Sequence, residues 1–275
     1  MTDPVSSPVP ADFSQVSGVS DRGEGIFDAD VSGEWTIGGK PNGGYLLALM
    51  ARAAGSVTGC SDIVAASAHF LRSPDPGPAV IETELLRRGR STSQVRARLS
   101  AGGKACVEAL VSTSPLGPPA APLWEPNEPR VEPVPFDECI RVEAVTPDGY
   151  RFPIFDHVDL RLDPDSHGMI RGTPAGRGEL RGWLAMFGAD GFDPVSLLYA
   201  VDAFPPTPFD TPHPGMVSTI ELTAYVRAMP VSGPVQVVSR ARLIDSQWVD
   251  EACEVWDRDG RLVARATQLA KVWFS

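Results

Sequence analysis

The chain has little of what marks several function classes at sight. It holds four cysteines, Cys60, Cys106, Cys139 and Cys253, and no C-x-x-C pair, so the common zinc and redox signatures are missing. Its four histidines, His69, His157, His167 and His213, are scattered without ligand-like spacing, and no metal is expected. No apolar run approaches the roughly 20 residues needed to span a bilayer. The opening MTDPVSSPVPADFSQ has neither the basic start nor the apolar run of a secretory signal. Cations are few: 24 Lys and Arg stand against 35 Asp and Glu, a formal net charge of −11, with no basic block to track phosphates. Neither a nucleic-acid partner nor a membrane partner is expected. G-x-S-x-G, G-x-G-x-x-G and Walker A patterns are absent too, which argues against an α/β-hydrolase, a dinucleotide enzyme or a P-loop protein. These absences predict a cytoplasmic protein with free thiols and no cofactor.

Proline, by contrast, is plentiful, and its placement divides the chain. The stretch PLGPPAAPLWEPNEPRVEPVP, from Pro115 to Pro135, cannot form a helix interior or a central strand. It predicts an extended linker over 116–140, with Trp124 anchoring it to the body. Residues 1–22, rich in Pro, Ser and Asp, predict a disordered or loosely docked lead. That leaves a first unit at 23–115 and a second at 141–275.

Both units repeat one order of elements. In the first, GEGIFDADVSG reads as a strand and GGKPNGGYLLALMARAAG as a glycine-rich turn entering a mostly buried helix. Four strand-like segments follow, separated by turn signals. In the second, FDHVDLRLDP and GELRGWLAMFG read as strands. FDPVSLLYAVDAF reads as a helix with Asp193 as cap and Pro194 in its first turn, and four strands again follow. Gly77-Pro78 falls on Gly233-Pro234, and Gly103-Lys104 on Gly260-Arg261, at nearly constant offset. The reading is an α+β fold used twice, each half a long helix wrapped by an antiparallel sheet; two unrelated α+β domains are the plainer alternative.

From about Gly23 onward, and most closely in LLYAVDAFPP, VSTIELTAYVR and GRLVARATQLA, the chain resembles the acyl-CoA thioesterase II family of tandem (double) hotdog proteins. The resemblance implies hydrolysis of acyl-CoA thioesters. It also implies an Asp/Thr/Gln set that activates water, falling here on Asp202, Thr219 and Gln268, and it allows further association into a homodimer. The chemistry is coherent. Hydrolysis needs a base for water and donors for the oxyanion. Asp202 lies near a helix C-terminus, where the dipole disfavours its charge, and if it is also partly buried its pKa should rise. Gln268 shares a strand face with Ala264, Ala266, Ala270 and Val272, where a polar side chain must find a partner.

The chain also departs from the family pattern. Gly38-Gly39 is followed by Lys40, not the Gln of the family's glycine-glycine-glutamine signature; this segment resembles an actinobacterial thioesterase-like branch. The first helix carries no Asp or Glu, so one active site per chain is expected, in the second half. Asn42, Gly43 and Gly44 at the first helix start could offer backbone N–H groups to the thioester oxygen. Alternatively, the glycines only satisfy a tight turn. Pairs such as Arg88 and Arg90, or Arg96 and Arg98, share a strand face and could meet CoA phosphates, against a solvated outer face. Two rival functions remain: a non-catalytic acyl-CoA binder and a hotdog hydratase. The latter uses an Asp five residues before a His, but Val64, Phe152, Leu162 and Pro208 hold those positions here.

Overall fold

A computed structural model describes residues 12–117, 121–125, 132–146 and 148–274. The lead docks from its first described residue. Asp12 accepts a hydrogen bond from the Ser14 amide and opens one helical turn, α1 (Phe13–Val16). Phe13 is buried, with its ring 4.9 Å from Trp35 and 5.7 Å from Tyr199. Strand β1 (Val19–Gly23) then pairs antiparallel with β2 (Ile26–Val31). The expected loose lead is therefore corrected for 12–22, which one aromatic anchor and a hairpin fix in place; residues 1–11 lie outside the described residues.

Short strands β3 (Thr36–Ile37) and β4 (Lys40–Pro41) lead into α2 (Gly43–Thr58). The Asn42 side chain caps this helix by accepting from the Tyr45 amide at 2.9 Å, and Gly59 ends it in the left-handed region. Its run of Leu and Ala is buried nearly all round; only Gly43, Arg52, Ser56 and Val57 escape full burial. Strands β5 (Ile63–Phe70), β6 (Gly77–Arg88), β7 (Ser93–Ala101) and β8 (Lys104–Thr113) follow and pack on it.

The second half begins with β9 (Ile140–Arg141), β10 (Val158–Leu162), the single turn α3 (Pro164–His167) and β11 (Glu179–Met186). Its central helix α4 covers only Ser196–Ala200. Asp193 does cap it, accepting from the Ser196 amide at 2.6 Å. The expected long helix is corrected here: Pro194 closes one side, and Pro205-Pro206 prevents extension on the other. Strands β12 (Gly215–Val226), β13 (Val235–Asp245), β14 (Trp248–Trp256) and β15 (Leu262–Phe274) complete the chain.

All strands except β3 and β4 form one sheet, in the order β1-β2-β6-β7-β8-β5-β12-β15-β14-β13-β11-β10-β9. The antiparallel pair β5·β12 is its centre, and the two flanks read outward in matching order. The irregularities match as well. Register shifts at Ile63/Ala65, Leu85/Arg87 and Leu99/Ser100 recur at Thr219/Glu221, Ala241/Leu243 and Val255/Trp256, each 156 residues on. Bulges are specific features of a strand pair, so their recurrence supports the offset read from the glycines. One continuous hydrophobic core runs through both halves.

The linker attaches differently than expected. Trp124 is 80% exposed and anchors nothing, whereas the Trp183 indole donates to the Val134 carbonyl at 2.7 Å. Residues 118–120 and 126–131 lie outside the described residues.

Candidate active site

Asp202 lies just beyond α4, where that helix meets the start of α2. Its Oδ2 accepts from the Gly44 amide at 2.7 Å and from Asn42 Nδ2 at 3.1 Å, and its backbone carbonyl accepts from Asn42 Nδ2 at 2.9 Å. The carboxylate thus sits on the positive end of a 16-residue helix, which favours its charge. Burial acts the other way and dominates. Enclosed by protein on all sides but the cavity, with Glu251 adding repulsion, the carboxyl is pushed up to about 6 despite the Gly44 and Asn42 bonds. The raised pKa expected for a partly buried carboxyl just past the end of its own helix is present, and burial is its largest cause.

Gly44 is needed for close packing. A Cβ there would stand 2.5 Å from the Leu198 carbonyl oxygen and 2.9 Å from the Tyr199 Cα. At Gly43 the nearest atoms are Phe70 Cζ at 3.0 Å and Asp202 Oδ2 at 3.1 Å. The steric requirement comes from the approach of two helices, not from a tight turn. Because the Gly44 N–H is already donated to Asp202, it does not stand free for a thioester oxygen.

Thr219 and Gln268 come together on neighbouring strands β12 and β15, where Thr219 Oγ1 donates to Gln268 Oε1 at 3.4 Å. The Gln268 amide nitrogen in turn donates to Glu251 on β14, directly opposite in register. Glu251 is buried and also accepts from the Thr207 amide at 2.7 Å and from the Thr207 hydroxyl. Sequence reasoning passed over Glu251. The signal was the same period-2 alternation that singled out Gln268: Val249, Glu251, Cys253 and Val255 share the inward face of β14, and a charged residue among them needs partners.

Asp202, Thr219, Gln268, Glu251, Asn42 and Gly43 all line one cavity of about 1620 Å³. Much of its wall is apolar, including Phe70, Phe152, Phe204, Phe209 and Met169. Among the described residues, the cations that reach it are Lys40, Arg72, Arg141 and Arg171. The arginines of β6 and β7 do not. Arg88 donates to the Val57 and Thr58 carbonyls at the end of α2, at 3.0 Å each, while Arg96 pairs with Glu84 and Arg98 with Glu108 on the outer sheet face. A cavity with an aromatic wall, a carboxyl poised near neutrality and cations within reach suits an amphipathic anionic ligand.

Comparison with known proteins agrees. The profile of the acyl-CoA thioesterase N-terminal domain matches residues 31–114, and that of the acyl-CoA thioesterase C-terminal domain matches residues 130–272. The chain belongs to the acyl-CoA thioesterase family. An uncharacterized protein of Mycobacterium tuberculosis is 32% identical over 270 residues, covering 90% of this chain and 91% of that one. The crystal structure of a candidate thioesterase II of Thermobifida fusca superposes with a TM-score of 0.86 at 32% identity, covering 97% and 99% of the two chains. A hot dog fold protein of unknown function from Alicyclobacillus acidocaldarius gives a TM-score of 0.82 at 23% identity, covering 95% and 97%. This thioesterase-family chain therefore has the hot dog fold. None of its described helices is long and apolar enough to cross a membrane.

Proposed function

We propose that this chain hydrolyses acyl-CoA thioesters to the free acid and CoA, at one site per chain. The fold is read as two hotdog units in tandem, 23–115 and 141–275, joined by 116–140. The observation that carries the reading is the Asp202 carboxyl. It faces a large, mostly apolar cavity, and its pKa of about 6 lets it hold or release a proton near neutral pH. Thr219 and Gln268 hold a water; Asp202 takes its proton as the oxygen attacks the thioester carbon. The start of α2, whose Gly43 and Gly44 amides and Asn42 side chain face Asp202, lends its dipole to the resulting oxyanion. The C–S bond then breaks, and the proton on Asp202 passes to the CoA sulfur. The acyl chain lies along the phenylalanines, and the CoA phosphates meet Lys40, Arg72, Arg141 or Arg171.

The test is thiol release from acyl-CoAs of several chain lengths. The reading expects turnover that falls by a factor of about 10² to 10⁴ in Asp202→Asn, the range for loss of a general base. Tight acyl-CoA binding with no thiol released at any chain length would instead establish a non-catalytic binder, in which Asp202 serves only to cap α2.

A further inference from the structure

We propose that Glu251 is a positioning residue for the Asp202–Thr219–Gln268 site: by accepting from the Gln268 amide nitrogen, it fixes which end of that amide faces Thr219. The inference rests on the thioesterase reading and adds a residue to it. Three donors point at Glu251: the Thr207 amide and hydroxyl at one oxygen, and Gln268 Nε2 at the other. A carboxylate so surrounded only accepts. The nitrogen of the Gln268 amide must therefore turn toward β14, which leaves Oε1 toward Thr219. The Thr219 hydroxyl hydrogen is then committed to Gln268, and the free lone pairs of Thr219 Oγ1 face the cavity as acceptors. A water held there points one hydrogen at Thr219 and keeps the other for the base. Burial holds the arrangement rigid, since Glu251 is 4% exposed and Thr207 fully enclosed.

The first half shows what this strand pair looks like without a site. Val95 and Val111 occupy the corresponding cross-strand positions, both buried and apolar, in a register that matches Glu251 opposite Gln268. A polar pair has no packing reason to be in the second half, where two valines fit the same fold.

Glu251→Gln tests the inference. It keeps size and shape, but the Thr207 amide claims the new carbonyl oxygen, so the new NH2 group meets the NH2 of Gln268. The Gln268 amide must flip and offer a donor to Thr219. The expected result is a fall in kcat of about 10- to 100-fold, as for loss of an outer hydrogen-bond partner, with KM moved less than about 3-fold. The double variant Glu251→Gln/Gln268→Glu reverses the bond between the two side chains. It preserves the acceptor toward Thr207 and the acceptor toward Thr219, so it should recover at least about 10-fold of the lost kcat. A single variant with kcat within about 3-fold of the parent overturns the inference, and so does a double variant no faster than the single one. Should the parent itself release no thiol, the thioesterase reading fails. The Gln268 orientation is then read from its side-chain 15NH2 resonances: one strongly deshielded proton in the parent, lost in Glu251→Gln, supports the inference, and an unchanged pair overturns it.

Discussion

The two halves of this chain share a sheet order, three bulges and a core, yet among the described residues the candidate strand side chains lie in the second half. At three equivalent positions the first half has Ile63, Val95 and Val111 where the second has Thr219, Glu251 and Gln268. The helices differ in the same complementary way. The long α2 contributes its N-terminus, and the short α4 delivers the carboxylate of Asp202 onto it. The contact in the other direction, from the middle of α2 to the cap of α4, is made by Arg52, which donates to Asp193 at 2.8 Å. A cation there cannot act as a base. The candidate site therefore differs from the equivalent place in the first half by a few polar side chains, and one half lends its helix start to the other.

The sharpest structural test of that loan is Gly44→Ala. The added methyl has backbone on two sides, so the helices must part, at a cost of about 3 kcal/mol, measurable by denaturant unfolding. Gly43→Ala, facing the edge of Phe70 and a carboxylate oxygen, should cost less. Next in size is Val111→Gln, which copies Gln268 into the first half without its partners. A buried amide opposite Val95 should cost about 2 kcal/mol and add no second activity.

The smallest expected effect concerns Asp202 itself. Its folded pKa of about 6 exceeds the unfolded value of about 3.9, so between these values the folded state binds more protons and stability falls as pH rises. Above pH 6 the full penalty is present. Asp202→Asn, which removes it, should therefore stabilise the protein by about 1 kcal/mol at pH 7.5, the figure being reduced for contact with cavity water, with no gain below about pH 4. In the parent, hydrolysis should rise with pH to half its plateau near pH 6, as the base loses its proton.

Much of this architecture was legible in the sequence because it rests on local chemistry. The Asn42 and Asp193 caps, the Gly-Pro turns and the two-residue alternation of the long strands each follow from neighbours along the chain. What was not legible depends on distant partners. A single ring, Phe13, docks a lead whose composition suggests disorder. Trp124, the obvious anchor by composition, finds no surface to bury against. Glu251 sits in the acidic run DEACE, where one carboxylate looks like any other until the sheet turns its face inward. In the sequence Gly44 reads equally as an N–H donor to substrate or as a turn glycine, and only the approach of α4 gives it its role.

The central claim is that the repeat is asymmetric, with one site for each chain. Calorimetric titration with a non-hydrolysable acyl-CoA thioether measures it directly. One molecule bound per chain, weakened when the cavity cations Arg141 and Arg171 are replaced and unaffected by Val111→Gln, is the predicted result. Two equivalent molecules bound per chain, or none, would contradict it.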